Sequence, residues 1–151
     1  MIDYQLRILF FLLFVTVLLS WQLLLPRKPL QHWCTRWRHN LSLLAIDALL
    51  VRLAQPLLLT GVAFLPAAPF APLSVAPHLL AIVVSLILLD LLIYWQHRLF
   101  HKVHWLWCLH RVHHSDPELD TTSAVRFHPI EILLSLVIKA IAIWLIGIPV
   151  A

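Results

Sequence analysis

Four long apolar runs, separated by short polar stretches, set the outline of this chain. They are Tyr4 to Leu25, Leu41 to Leu65, Leu79 to Tyr94 extending to Phe100, and Ile130 to Val150. Each is near the roughly 20 residues that a helix needs to cross a bilayer. Backbone polar groups in lipid must be satisfied within the segment itself, which a helix achieves. The pattern therefore predicts an all-α integral membrane bundle of about four transmembrane or re-entrant helices. The second run carries Asp47, Arg52 and Pro56. Charge at membrane depth is expensive, so three solutions are expected: mutual pairing, a snorkelled Arg52, or a re-entrant hairpin broken at Pro56.

Composition excludes the soluble alternatives. The chain is 62% hydrophobic and 12% charged over 151 residues, with a mean hydropathy of +0.90, more apolar surface than a soluble domain of this size can hide. The first run is longer than a signal-peptide core, and Pro26-Arg27-Lys28-Pro29 follows it without a small-residue cleavage site. It reads as a retained helix. The four prolines Pro66, Pro69, Pro72 and Pro77 exclude a continuous helix between the second and third runs and predict an extended connection.

Charge then suggests an orientation. Arg27, Lys28, Arg36 and Arg38 lie between the first two runs, whereas Pro66 to His78 has no Lys or Arg. By the positive-inside rule the first segment is cytoplasmic and the second is on the far side. Four crossings return the stretch from His97 to Arg126 to the cytoplasm, in agreement with Arg98, Lys102, Arg111 and Arg126. The net charge of +4 is thus accounted for at membrane ends, among Trp21, Trp33, Trp37, Trp95, Trp105 and Trp107, and needs no nucleic acid. With two glycines, Gly61 and Gly147, no glycine-rich phosphate loop is possible. Cys34 and Cys108 are both expected on the reducing side, so no disulfide is expected, and Cys108 stays open as a metal ligand.

The candidate chemistry lies in the histidines. Seven of the ten fall between His97 and His128. Residues four apart project within roughly 40° of one another on a helix, so His97 and His101 share a face, and His110, His113 and His114 repeat the arrangement at i, i+3 and i+4. Two such boxes brought together make a nitrogen-rich pocket suited to more than one transition-metal ion. His128 is a third element, beside Pro129. The acids of the polar loop Ser115 to Ser123 could hydrogen-bond ligand imidazoles or could simply be solvated.

The stretches Asp90-Leu-Leu-Ile-Tyr-Trp-Gln-His-Arg-Leu-Phe-His101, Leu106-Trp-Cys-Leu-His-Arg-Val-His-His-Ser-Asp-Pro117 and Thr121-Thr-Ser-Ala-Val-Arg-Phe-His-Pro-Ile-Glu131 resemble the sterol desaturase branch of the fatty acid hydroxylase superfamily. The resemblance runs from about Leu79 to Val150. It divides the chain into N-terminal membrane helices and connections, residues 1–78, and the N-terminal part of a hydroxylase-like domain, residues 79–151. The stretch Arg36-Trp-Arg-His-Asn40 is compatible with it but less diagnostic.

The resemblance implies a membrane di-iron oxygenase that uses O2 to hydroxylate or desaturate a lipid such as a sterol or fatty acyl chain. The metal ligands it implies are His97, His101, His110, His113, His114 and His128, with no other catalytic residue. His104 is expected to be supporting or structural. Asp90 and Glu131 belong to the matching segments without being called ligands, and a buried contact between helices would explain them equally well. Electrons would come from an external reductase, since no flavin, haem or nicotinamide motif is visible.

The family carries a further H-x2-H-H box downstream, which is not found before Ala151. The expectation is therefore a chain truncated before that box, or one completed by a second chain, and an inactive fragment is the main competing reading. A metal transporter or haem protein is a weaker fit, because the histidines cluster at a helix end rather than facing one another at mid-depth.

Overall fold

The computed structural model describes residues 2–26, 29, 31–66 and 72–147. They form five α-helices: α1 (Ile2–Leu24), α2 (Trp33–Ala63), α3 (His78–Lys102), α4 (His104–His114) and α5 (Pro129–Ile146). Short 3-10 turns at Pro72–Val75 and Ser123–Val125 complete the described secondary structure, which contains no strand. Among the described residues, α2, α3 and α5 are long and apolar enough to cross a membrane, and Ile8–Leu24 forms a shorter apolar helix.

The burial pattern is inverted relative to a soluble protein. Phe10, Leu53, Leu57, Leu79 and Leu86 are each more than 60% exposed, whereas Arg36, Asn40, Asp47, His110 and Glu131 are buried. Apolar side chains face outward where lipid replaces water, and the interior holds the polar groups.

Local sequence explains the boundaries. The fully buried Phe100 anchors the end of α3, which stops at the extended Val103. The Val103 carbonyl accepts from Trp107 at 2.8 Å, so this one residue closes α3 and opens α4, folding α4 back against α3. α5 begins with His128 as N-cap and Pro129 in its first turn, and closes at Gly147, whose φ of 70° is a left-handed geometry that glycine adopts without strain. It packs along α2. The last apolar run is helical to Ile146, and residues 148–151 lie outside the described set.

Three expectations are corrected. α2 runs unbroken through Pro56, so there is no re-entrant hairpin; a proline forfeits one backbone hydrogen bond, which a 31-residue helix absorbs. Asp47 and Arg52 do not pair, since five residues place them roughly 140° apart around the helix. Arg52 is exposed, while Asp47 is buried with neither carboxylate oxygen partnered and lies within electrostatic reach of His128 and Glu131. In the described part of the connection expected to be extended, Pro72–Val75 form a 3-10 turn instead, a conformation compatible with the fixed φ of proline. Pro69 lies outside the described residues, as do Arg27 and Lys28 of the charge argument.

Candidate metal centre

The last two turns of α3 and of α4 bring four imidazoles together. One nitrogen from each of His97, His101, His110 and His114 lies within 4.8 Å of all the others. Nε2 of His97 is 3.2 Å from Nε2 of His101, and Nε2 of His110 is 3.3 Å from Nε2 of His114. His110 is the hub, with ring centroids 4.7, 4.8 and 4.9 Å from those of His97, His101 and His114. It is 1% exposed, whereas the other three are open. Trp107 flanks His101 and His114, and Phe100 flanks His110.

Hydrogen bonds fix how two of these rings present their nitrogens. Nδ1 of His110 is 2.7 Å from Oε1 of Glu131, in the first turn of α5. With Glu131 ionised its carboxylate only accepts, so that Nδ1 then carries the proton and Nε2 presents a lone pair to the cluster. Burial, then the neighbouring imidazoles, push the pKa of His110 down to about 4. The ring is therefore neutral near pH 7, the form that binds metal. Burial and the same neighbours also lower the pKa of His114. His113 turns Nδ1 to the carbonyl of Arg126 at 3.2 Å and stacks on Phe127 at 4.7 Å, which leaves its Nε2 the lone pair as well.

The other histidines stand apart. Nδ1 of His128 accepts from the N–H of Ile130 at 3.1 Å, so His128 caps α5. His104 faces Cys108, with Nε2 4.0 Å from Sγ. A buried contact explains Glu131 but not Asp90, which is exposed on α3.

A polar clamp holds the loop between α4 and α5 in place. Nε of Arg36 donates to Asp116 at 2.6 Å, and its NH2 donates to Asp120 at 2.7 Å and to the Glu118 carbonyl at 2.7 Å. Asn40, 0% exposed, donates to Asp116 and Thr122 and accepts from Arg126, whose Nε reaches the Val112 carbonyl. Burial disfavours the charge on Asp116, yet bonds from Arg36, Asn40 and the Glu118 N–H hold its pKa below the usual carboxylate range. The loop acids were expected beside ligand imidazoles or in solvent. Asp116 and Asp120 do neither, because the buried Arg36 guanidinium claims both.

These histidines fall within residues 82–151, which match the fatty acid hydroxylase family. That match covers just under half of the chain. A curated relative, the ornithine lipid hydroxylase OlsE of Rhizobium tropici, is 33% identical over 73 residues, covering 48% of this chain and 22% of the relative. The chain thus spans about a fifth of that protein's length. No solved structure matches it.

The groups that sequence reasoning passed over are Glu131, inside the matched segment, as the partner of His110, and Arg36 with Asn40, outside it, as the anchor of the loop. Glu131 had a visible signal: it follows the Arg-Phe-His-Pro stretch by two residues and opens an apolar helix. Arg36 had none beyond being a charge at the head of one, since its partners lie 80 to 84 positions away.

Proposed function

We propose that this chain supplies the histidine-box core of a membrane di-iron oxygenase that hydroxylates, or by the same initial hydrogen abstraction desaturates, a lipid. The observation that carries the reading is the group of four imidazole nitrogens within 4.8 Å, placed where membrane-length α3 meets α4. The donor set fits iron: all four donors are imidazole nitrogens, and the buried member is oriented by a carboxyl group. His97, His101, His110 and His114 are the proposed ligands, and His113 offers a further Nε2. His128 joins them by releasing the Ile130 N–H.

Bound iron would supply the oxidising power, with O2 as co-substrate, to break an unactivated C–H bond. The chain's own groups do the rest. Glu131 holds the proton on Nδ1 of His110 and so aims Nε2. The Arg126 carbonyl does the same for His113. Phe100 and Trp107 pack against His110 and shield that one ring from water. The apolar outer faces of α3 and α5 let a lipid approach from the bilayer. A separate reductase, reaching the centre from the cytoplasmic side, supplies electrons.

The name of the relative, a lipid hydroxylase, supports a lipid substrate. The test is oxygen incorporation. Iron-loaded chain in membranes, given a reductase and 18O2, is expected to yield a lipid bearing one labelled oxygen, lost in His110→Ala. Lipid that is neither labelled nor newly unsaturated from the iron-loaded chain under those conditions contradicts the reading.

A further inference from the structure

We propose that Arg98 and Lys102, at the metal-centre end of α3, bind the phosphate of an anionic phospholipid. Both are exposed, and a separation of one helical turn puts them on the same side of α3. The site does not depend on the oxygenase reading.

Arg98 is held in place rather than left to solvent. Its NH1 donates to the Tyr94 hydroxyl at 2.9 Å, and its guanidinium carbon lies 5.3 Å from the centre of the Trp95 ring and 5.7 Å from that of Tyr94. The two rings meet edge to face with centroids 5.6 Å apart. Arg98 thus folds back one turn along α3, towards the membrane, where a free arginine at a helix end extends to water. An aromatic face attracts a cation without neutralising it. Among the described residues no carboxylate pairs with Arg98 or Lys102. The guanidinium spends one N–H on Tyr94 and keeps the others. A held, uncompensated guanidinium presents a planar fork, the geometry that takes a phosphate through paired hydrogen bonds.

Depth decides which anion. From His78, where α3 begins, the rise to Arg98 is about 30 Å at roughly 1.5 Å per residue, the thickness of a hydrocarbon core. The guanidinium therefore sits where acyl chains give way to headgroups, and the exposed Trp95 and Trp105 belong to the same belt. The phosphodiester is the anion that a bilayer holds at that level. Lys102 adds a second positive charge about 6 Å further out, which favours a headgroup of net negative charge over one whose choline cancels the phosphate. Ile87 and Leu91 fall on the Arg98 face of the helix at whole-turn spacing and are 61% and 49% exposed, giving the acyl chains an apolar track. Phosphatidylglycerol meets all three demands: phosphate on Arg98, net charge beside Lys102, and chains along α3.

The test is native mass spectrometry of the detergent-solubilised full chain without metal, titrated with phosphatidylglycerol, phosphatidylcholine or diacylglycerol of equal acyl length. Phosphatidylglycerol is expected to bind most tightly and diacylglycerol, which has no phosphate, least. Arg98→Gln should weaken phosphatidylglycerol binding about 10-fold, the lower end of what a hydrogen bond to a charged group contributes. Arg98→Lys keeps the charge without the fork and should recover only part of that loss. Tyr94→Phe keeps the ring but releases NH1, and should weaken binding about 3-fold. Arg38→Gln removes an equal charge from an exposed position on α2 and should leave binding unchanged. Lys102→Gln should narrow the preference over phosphatidylcholine, and carries the test alone if circular dichroism shows that Arg98→Gln does not fold. Equal binding of the three lipids, equal losses in Arg38→Gln and Arg98→Gln, or an unchanged preference in Lys102→Gln would overturn the proposal. So would displacement of the lipid by inorganic phosphate at millimolar concentration, which would mark a site for soluble anions.

Discussion

Glu131 meets His110 at 2.7 Å across 21 residues of sequence, the first turn of α5 gripping the most buried imidazole of α4. This contact couples the membrane helices to the metal centre. Whatever seats α5 against α2 also sets the direction of Nε2 on His110.

Removing that carboxylate should weaken metal binding without abolishing it. Glu131→Ala is expected to lower iron affinity by about 10- to 100-fold, the usual cost of losing a carboxylate behind a ligand histidine. Glu131→Gln, whose carbonyl still accepts from Nδ1, should lose less. Competitive chelator titration reads both, and equal affinity across wild type and Glu131→Ala would refute the coupling.

Capping and ligation can be separated at His128. His128→Asn retains an acceptor for the Ile130 N–H, whereas His128→Ala leaves it bare at a cost of about 1 kcal/mol. Because His128 is a proposed ligand as well as a cap, the asparagine variant is expected to keep wild-type stability but lose metal, and unchanged metal content would leave His128 a cap alone.

The Arg36 clamp is predicted to be the largest single polar contribution to holding the loop. Arg36→Met leaves Asp116 and Asp120 buried without their partner, and should cost about 3 kcal/mol or more in unfolding of the detergent-solubilised chain. Arg36→Lys should recover little, because an ammonium cannot reproduce the forked contacts. A loss below about 0.5 kcal/mol would place the clamp among surface pairs.

Much of this was legible in the chain, and the boundary of legibility is physical. Apolar run length is a property of a single segment, so α2, α3 and α5 were foreseen within a few residues, apart from the start of α2. There the run was read from Leu41, but the helix begins at Trp33, because Arg36 and Asn40 are buried by partners rather than by lipid. Helical spacing brought out the pairs His97 with His101 and His110 with His114, since i and i+4 neighbours are set by the backbone alone. It could not show that Val103 folds one pair onto the other. Nor could it choose partners for Asp116, Asp120 or Glu131, because partner choice across 21 to 84 residues depends on how helices pack. The unbroken α2 at Pro56 has the same origin: helix breaking is a local tendency, and the surrounding helix overrides it.

The most direct test of the metal assignment is elemental analysis of the full chain purified in detergent from iron-supplemented cells, wild type beside the His97→Ala/His110→Ala double variant, with His32→Ala and His78→Ala as controls. At least one iron per chain in wild type and both controls, falling to background in the double variant, is the predicted result. Equal metal in all four, or none in wild type, would contradict the assignment of His97, His101, His110 and His114 as a metal site.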